Sequence, residues 1–386
     1  MRETAVAMVP LIDTTCPRRL MMDGTAEGFD SYEDAVADQP VEPLADQPRG
    51  DVMLYSSGTT GRPKGIKRPL SGKAVDDPEN VGISSLERFL LGMDEDTVYL
   101  SPAPLYHAAP LRFCMAQGVL GGTVVVMEHF DPEEFLAQIE QRKVTTTQVV
   151  PTMFVRMLKL PDEVRARYDV SSITSVVHAA APCPVDVKRR MIEWWGPVVH
   201  EYYAGTEGNG FVYCNSEQWL DHPGTVGQAI VGTIHIVGDD GAEVPVGEEG
   251  TVYFEGGGTF EYHGDPGKTA DSRLANGWST LGDVGRVDDD GFLYLTDRKA
   301  YMIITGGVNV YPQEAENTLT MHPAVHDVAV IGVPDDDFGE QVKAIVEPTE
   351  MPVDDRAAAA LERELIAHCR EHLADVKCPR SVDFRP

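Results

Sequence analysis

Residues 123–151 read TVVVMEHFDPEEFLAQIEQRKVTTTQVVP and place a helix-like segment between two strand-like ones. The β-branched and apolar runs at 123–130 and 145–151 are typical of strands. Asp131 can cap the intervening helix, Pro132 suits its first turn, and the two acidic residues that follow favour the positive end of the helix dipole. This unit predicts an α/β fold, in which helices cover a sheet and ligands bind at the carboxyl ends of strands.

The same alternation extends over residues 51–205 and includes a second helix from about Val185 to Trp195. Further strand-like segments are DVMLYSS (51–57), TVYLSPAP (97–104), ITSVVHAA (173–180) and VVHEYYAG (198–205). From Thr225 to Leu295 the runs become short and are separated by Gly-Asp turns, which predicts an antiparallel or barrel-like β unit.

The last part of the chain predicts a compact α+β unit. Its segments are a helix near 313–321, strands at 325–333 and 340–348, and an amphipathic helix over about 355–373. We therefore predict two domains. The larger, residues 1–297, combines an α/β part with a β-barrel-like part, and the smaller, residues 298–386, is a mobile α+β C-terminal domain.

Composition limits the classes of function. The chain has 386 residues, 42% of them apolar, which is enough for a full-sized core. Its 62 acidic and 32 basic residues give a net charge of −30, which would repel a nucleic acid. It has no apolar run long enough to span a bilayer and no export signal, so we predict a cytoplasmic protein without an integral membrane segment. The six cysteines are scattered, and we interpret them as reduced thiols.

The segment SSGTTGRPKG, residues 56–65, is suited to binding phosphate. Its glycines allow backbone N–H groups to approach phosphate oxygens, its hydroxyls donate further hydrogen bonds, and its lysine brings a mobile positive charge. The spacing does not fit the Walker loop. The candidate phosphate-binding residues are Ser56, Ser57, Gly58, Thr59, Thr60, Gly61 and Lys64.

The longer string YSSGTTGRPKG, residues 55–65, resembles the phosphate-loop signature of the acyl-adenylate-forming superfamily. This superfamily contains acyl- and aryl-CoA synthetases, nonribosomal peptide adenylation domains and luciferases, and the chain is most similar to bacterial fatty-acid and other acyl-CoA ligases. The resemblance covers residues from about 51 to 386. Further segments similar to the family's follow in its order: PLYHAAP (104–110), HAAAPCP (178–184), YAGTEG (203–208), LGDVG (281–285), TDRK (296–299) and GGVNVYPQEAE (306–316).

The resemblance implies a position for the first two of these segments around the acyl group. His107 would lie beside the acyl substrate and gate its entry. The small side chains of Ala179, Ala180 and Ala181 would line the adenine and acyl pockets.

The resemblance also implies which residues bind ATP and Mg²⁺. Tyr203 would stack on adenine, Thr206 would contact phosphate and Glu207 would hold Mg²⁺, a cation that binds one or two carboxylates together with phosphate oxygens. Asp283 would accept hydrogen bonds from both ribose hydroxyls, and Arg298 would join it there. Thr206, Glu207 and His107 are the candidate catalytic residues.

Gly306 and Gly307 match the glycine-rich loop that reaches the site when the thiol of coenzyme A attacks. Ala204 stands where the family usually has glycine. Three further departures from the family pattern are expected: Ala300 replaces the usual Asp or Lys of the hinge, part of the first subdomain is missing at the start, and the chain stops before the family's adenylation lysine. Lys377 is not a substitute for that lysine.

The reaction implied by the resemblance has two steps. A carboxylic acid and ATP give an acyl-adenylate and pyrophosphate, and coenzyme A then displaces AMP to form a thioester, as in fatty-acid metabolism. Two alternatives stay open: a protein that binds nucleotide or acyl-adenylate without adenylating, and a ligase that loads a carrier-protein thiol. The expected partners are the acid, ATP and coenzyme A, with a homodimer left open. For the acid, we expect a fatty or steroid side-chain acid.

Overall fold

The computed structural model describes residues 2–12, 16–56, 64–77, 83–298, 301–335 and 337–386. The chain divides into two compact units, one of residues 1–49 and 72–77 and the other of residues 50–71 and 78–386. The domain boundary predicted between residues 297 and 298 is a separate expectation, and it stays a prediction.

The first unit consists of short elements. They are α1 (Arg2–Ile12), β1 (Leu20–Met21), β2 (Asp30–Ser31) and α2 (Tyr32–Ala37). The two strands pair in parallel. Ser31 begins α2 as an N-cap, since its Oγ accepts a hydrogen bond from the Asp34 N–H at 3.1 Å.

In the described residues, the second unit contains four sheets and the helices that pack on them. Within the described ranges, its helices are α3 (Ile83–Leu91), α4 (Ala108–Leu120), α5 (Pro132–Arg142), α6 (Pro151–Lys159), α7 (Asp162–Arg165), α8 (Val185–Trp195), α9 (Ser216–Asp221), α10 (Pro266–Asp271), α11 (Pro312–Thr320) and α12 (Asp355–His372). Its strands are β3 (Leu54–Ser56), β4 (Lys64–Lys67), β5 (Val98–Ser101), β6 (Thr123–Val126), β7 (Thr146–Val149), β8 (Ser175–His178), β9 (Val199–Tyr203), β10 (Phe211–Cys214), β11 (Gln228–Val231), β12 (Thr233–Val237), β13 (Gly250–Glu255), β14 (Glu261–Tyr262), β15 (Ser279–Val287), β16 (Leu293–Arg298), β17 (Ile303–Thr305), β18 (Val308–Val310), β19 (Val325–Asp335), β20 (Gly339–Pro348) and β21 (Ser381–Phe384).

The largest sheet positions the candidate site. Its order is β11-β10-β9-β8-β7-β5-β6, in which the strands from β5 to β9 run parallel and β10 and β11 are antiparallel. The chain leaves β5 toward β6 on one side and returns to β7 on the other. Such a reversal of strand order opens a crevice at the carboxyl ends of the two strands concerned, here β5 and β7.

The predicted strand, helix, strand unit of residues 123–151 is confirmed as β6, α5 and β7. Asp131 caps α5, because its Oδ1 accepts the Glu134 N–H at 2.8 Å. The apolar side of α5 buries Phe135, Leu136 and Ile139 completely in the main core. Burying side chains of this size stabilises the fold by roughly 1.5–3 kcal/mol each.

The predicted antiparallel β part is also confirmed. Strands β12, β13, β15 and β16 pair in that order, and every pairing is antiparallel. A smaller sheet of order β14-β4-β3 lies in the same unit and includes Lys64 at the start of β4.

The C-terminal elements form the predicted α+β arrangement. The sheet has the order β18-β17-β20-β19, and β21 pairs in parallel with β20. Helices α11 and α12 pack on it around a core that includes Leu319, Leu365 and Cys369. None of the helices in the described ranges combines the length and the apolar character that a bilayer-spanning segment requires.

Candidate active site

Several predicted site residues follow the carboxyl ends of the parallel strands. His107 is the residue before α4, just beyond β5. The segment from Ala179 to Ala181 follows β8, and Tyr203 is the last residue of β9. Parallel neighbouring strands end at the same edge of a sheet, so the fold brings these residues to one edge.

Ala180 turns the chain directly after β8. Its φ of 75° lies in the left-handed region, where an alanine is strained. The strain is held in place by the buried strand before it and by α8, which begins at Val185.

Tyr203 connects the large sheet with the antiparallel sheet. Its hydroxyl donates a hydrogen bond to Asp283 Oδ2 at 2.6 Å, and Asp283 is only 5% exposed. The backbone of Asp283 is in register with that of Arg298 on β16. The structure therefore brings together the two residues for which the resemblance implies contacts with adenine and ribose.

The loop that follows β9 is fixed on β15. A Cβ atom at Gly205 would lie 2.6 Å from Leu281 Cδ1 and 2.9 Å from Glu207 Oε2, so a side chain there would displace the ends of these two side chains. Asn209 Nδ2 donates to the Ser279 carbonyl at 3.3 Å. These contacts determine where Glu207 and the half-buried Thr206 lie.

Glu207 is held by a tyrosine from the small sheet. The Tyr262 hydroxyl donates to Glu207 Oε1 at 2.9 Å, and the carboxylate is 9% exposed. Lys64 Nζ lies 5.2 Å from the centroid of the Tyr262 ring. A buried, oriented carboxylate near Lys64 of the predicted phosphate-binding segment fits Mg²⁺, which prefers oxygen ligands. Glu207 is the residue here that could hold the metal.

Two arginines lie near Glu207. A Cβ atom at Gly208 would lie 3.3 Å from Arg68 Cζ. Burial and then the charge of Arg68 lower the pKa of Arg112, while Asp51 and Glu207 act in the opposite direction. Charges that influence each other in this way lie close together, so cationic groups gather at Glu207.

Sequence reasoning missed Arg68, Arg112 and Tyr262. Arg68 follows the phosphate-binding segment by only a few positions, and Arg112 lies on α4 shortly after His107, so the position in the chain could have indicated both. Tyr262 belongs to no motif, and only the pairing of β14 with β4 brings it to the site.

Part of the predicted site lies outside the described residues. This applies to Ser57, Gly58, Thr59, Thr60 and Gly61, to the side chains of Ser56 and Arg298, and to Ala300. Gly306 and Gly307 form the turn between β17 and β18 with φ angles of 57° and 80°, and glycine adopts such angles readily. Their approach to coenzyme A stays a prediction.

A small cavity of about 20 Å³ lies against the same parallel strands. Tyr202 stacks between Phe211, at 5.1 Å between ring centroids, and Phe113, at 6.4 Å. Val177 and Tyr202 lie one position before His178 and Tyr203, so the cavity is just inside the edge that carries the site. Its lining residues are Leu86, Glu87, Leu90, Leu91, Phe113, Val177, Tyr202, Phe211 and Tyr213.

Glu87 is an unusual residue of this lining, because its side chain is charged in water and here is 2% exposed. Neither carboxyl oxygen has a hydrogen-bond partner among the described residues, and the same holds for the hydroxyls of Tyr99 and Ser101 nearby. Burial raises the pKa of Glu87 to about 9. The carboxyl is therefore neutral at pH 7 and can both donate and accept.

A buried ion pair supports the strands beneath the alanine segment. Lys188 Nζ donates to Glu201 Oε2 at 2.6 Å, and both residues are buried. His178 Nε2 lies 3.5 Å from the same oxygen. Burial and the charge of Lys188 place the pKa of His178 well below its ordinary value, so the ring is neutral. This group connects α8, β8 and β9 and contributes to structure.

Two family models match the chain. The model described as AMP-binding enzyme matches residues 5–262, and the model described as AMP-binding enzyme C-terminal domain matches residues 314–386. The chain therefore belongs to the AMP-binding enzyme family, and the predicted enzyme class, an AMP-forming CoA ligase, is confirmed.

Individual relatives agree with this membership. A feruloyl-CoA synthase of Amycolatopsis sp is 34% identical over 357 residues, which cover 91% of this chain and 69% of that protein. A 3-[(3aS,4S,7aS)-7a-methyl-1,5-dioxo-octahydro-1H-inden-4-yl]propanoyl:CoA ligase of Rhodococcus jostii is 34% identical over 381 residues, with coverage of 94% and 68%. The Bacillus subtilis O-succinylbenzoate coenzyme A synthetase (MenE) in complex with ATP and magnesium ion superposes with a TM-score of 0.75 at 26% identity. That match covers 100% of this chain and 78% of the other.

Proposed function

We propose that this chain is an acid:CoA ligase that joins a ring-containing carboxylic acid to coenzyme A at the expense of ATP. The observation that carries the proposal is the loop after β9. Tyr203 at the start of this loop donates to Asp283, and Glu207 within the loop accepts from Tyr262, so one short segment carries two of the residues that we propose bind the nucleoside and the metal.

The proposed first step forms the acyl-adenylate. A carboxylate oxygen of the acid attacks the α-phosphorus of ATP, a P–O bond forms, and the bond to the pyrophosphate leaving group breaks. Asp283 and Tyr203 orient the nucleoside, and Lys64, Arg68 and Arg112 stabilise negative charge on the phosphates. When bound, Mg²⁺ would neutralise further charge on the departing pyrophosphate, and Glu207 is the residue that would hold it.

The proposed second step transfers the acyl group. The thiolate of coenzyme A attacks the carbonyl carbon of the acyl-adenylate, a C–S bond forms, and AMP leaves with its electron pair. We expect the hairpin turn of Gly306 and Gly307 to act here. The alternative to this second step is a ligase that loads a carrier-protein thiol. The alternative to the whole reaction is a protein that binds nucleotide without adenylating.

The assay for the proposal is pyrophosphate release with ATP, Mg²⁺ and a panel of short, long, aromatic and steroid acids, followed by coenzyme A-dependent AMP release. Glu207→Gln is expected to lower pyrophosphate release by about 100-fold, because the lost charge acts in the transition state. The exposed Glu217→Gln on α9 is the matched control and is expected to keep full activity. If the chain binds ATP but releases pyrophosphate with none of the acids, the result favours the protein that binds nucleotide without adenylating. If AMP release requires a carrier protein, the result favours the ligase that loads a carrier-protein thiol.

The acid is proposed to reach the aromatic-lined cavity with the end remote from its carboxylate. The walls of Phe113, Tyr202 and Phe211 suit a ring, and the neutral Glu87 suits a hydroxyl or keto oxygen on that ring. The cavity holds about one water-sized group, which matches a single oxygen substituent. The names of the two relatives above describe acids with such substituents.

This part is tested with 4-hydroxycinnamate and cinnamate on Glu87→Leu. The loss of one buried hydrogen bond should lower kcat/KM for the hydroxylated acid by about 10- to 100-fold and leave the value for cinnamate nearly unchanged. An equal change for both acids would show that Glu87 does not contact the substrate. The cytoplasmic location and the homodimer stay predictions.

A further inference from the structure

A cluster of two histidines and one glutamate lies on the last turns of α12, outside the candidate active site. His368, Glu371 and His372 are spaced i, i+3 and i+4, so the helix places them on one face. One potential ligand atom of each residue lies within 4.8 Å of those of the other two. The centroids of the two imidazole rings are 4.6 Å apart.

Backbone hydrogen bonds determine which ring nitrogens can bind a metal. His368 Nε2 lies 3.3 Å from the carbonyl oxygen of Thr318 on α11, and His372 Nδ1 lies 2.8 Å from the carbonyl oxygen of His368. A carbonyl oxygen only accepts, so these nitrogens carry the protons of the neutral rings. The lone pairs are then on Nδ1 of His368 and Nε2 of His372. Metal-ligating histidines have the same arrangement, with the second ring nitrogen donating to a carbonyl or carboxylate.

The surroundings of the cluster favour a cation. α12 ends at His372, and the carbonyl groups of a helix C-terminus carry partial negative charge. Glu364 lies one turn before His368 and is 3.4 Å from Nε2 of His322, whose ring centroid is 5.0 Å from that of His368. Arg370 is a cationic residue next to Glu371 in the sequence. Its Nε lies 3.1 Å from Asp375 Oδ1, so this carboxylate neutralises its charge.

We propose that His368, Glu371 and His372 form a binding site for a divalent transition-metal ion of the zinc class, with water completing the coordination. Two imidazoles and one carboxylate suit Zn²⁺, Co²⁺ or Ni²⁺, whereas Mg²⁺ and Ca²⁺ prefer sites made of oxygen ligands alone. For zinc to bind, rotation of the three side chains would have to bring the ligand atoms to roughly 2.0–2.2 Å from the ion.

The bound ion would act on structure and not on the ligase chemistry. It would fix the last turn of α12 and, through the hydrogen bond of His368 to Thr318, the packing of α12 on α11. The sequence H-C-R-E-H also has the H-x-x-E-H spacing of certain zinc peptidases. That spacing alone does not make a peptidase, because such an enzyme also needs a substrate cleft at the metal, and we assign no peptide hydrolysis to this site.

The test is a calorimetric titration of the full chain with Zn²⁺ in excess Mg²⁺, which occupies the oxygen-only sites of the acidic surface. We expect saturation at one ion per chain. His372→Ala and Glu371→Gln should each weaken this binding by about tenfold or more, as the loss of a ligand does. His129→Ala removes an exposed histidine far from α12 in sequence and is the matched control, which should bind zinc like the original chain.

A second readout is the visible absorption of the Co²⁺ form, in which the intensity of the d–d bands reports coordination by nitrogen and oxygen at low coordination number. Circular dichroism of each variant establishes that the helix content is retained. Zinc affinity unchanged in His372→Ala, or no saturable binding by the original chain, would overturn the proposal. Because none of these measurements needs ATP or an acid, their outcome is independent of the proposed ligase function.

Discussion

Replacing Glu87 by glutamine should change how the stability of the protein depends on pH. The carboxyl is 2% exposed, and burial raises its pKa to about 9, whereas the ordinary value is 4.5. Between these two values the native state holds a proton that the unfolded state has released. Stability from this group is therefore fully present below pH 4.5 and is lost as the pH rises toward 9.

The magnitude follows from the proton count. One proton held only by the native state lowers the free energy of unfolding by about 1.36 kcal/mol for each pH unit. Between pH 5.5 and 7.5 the original chain should lose about 2.7 kcal/mol from this group, and Glu87→Gln, which has no proton to hold, should not.

The assay is urea unfolding at pH 5.5, 6.5 and 7.5, followed by circular dichroism and tryptophan fluorescence. The quantity to compare is the difference in unfolding free energy between Glu87→Gln and the original chain. Burial lowers the pKa of His178 and of His200, and their contribution cancels in that difference. Glu217→Gln, an exposed change on α9, should leave the difference flat. If the difference in unfolding free energy between Glu87→Gln and the original chain also stays constant from pH 5.5 to 7.5, Glu87 is ionised in the native protein. That result would refute the reasoning.

Further changes test other parts of the structure. Lys188→Met should destabilise the fold by roughly 3–5 kcal/mol in urea unfolding, because Glu201 loses its buried partner, while the double change of both residues to apolar ones should recover most of the loss. Ala180→Gly should raise the melting temperature by relieving roughly 1 kcal/mol of left-handed strain, whereas Ala166→Gly, at a residue with φ of −72°, should lower it. Tyr262→Phe should raise the KM for ATP about three- to tenfold in the pyrophosphate assay, since one hydrogen bond to the Glu207 carboxylate is lost. An unchanged KM would show that this bond does not position the carboxylate.

The sequence was sufficient for the parallel part of the fold because each element there has its own local signal. Residues 123–151 contain a cap, a proline in the first helical turn and two β-branched runs, and the structure has β6, α5 and β7 at these places. The hairpin of β17 and β18 was missed although its two-glycine turn is a local signal, since the flanking runs are only three residues long.

The residues of the candidate site likewise divide into those with a local sequence signal and those without one. Residues that belong to motifs, such as Tyr203 and Asp283, could be predicted from the sequence. In the structure the Tyr203 hydroxyl lies 2.6 Å from Asp283 Oδ2. Tyr262 could not, because its bond to Glu207 depends on the pairing of β14 with β4, which joins segments far apart in the sequence. Glu87 could not either, since its neutral state follows from burial by residues of α4, β8, β9 and β10 that no local pattern reveals.

The net negative charge of the chain is compatible with a negatively charged substrate, because the two charges act over different distances. A net charge of −30 acts at long range and is screened beyond about 8 Å at physiological salt. In the proposed site Lys64, Arg68 and Arg112 would act at short range, where burial reduces screening and a contact with a phosphate is stronger. The acidic surface therefore disfavours polyanions, which need charge neutralisation along an extended face. It still permits a compact anion whose charges are neutralised by a few cationic side chains in one site. The predicted exclusion of nucleic acid is therefore compatible with a nucleotide site in the same sequence.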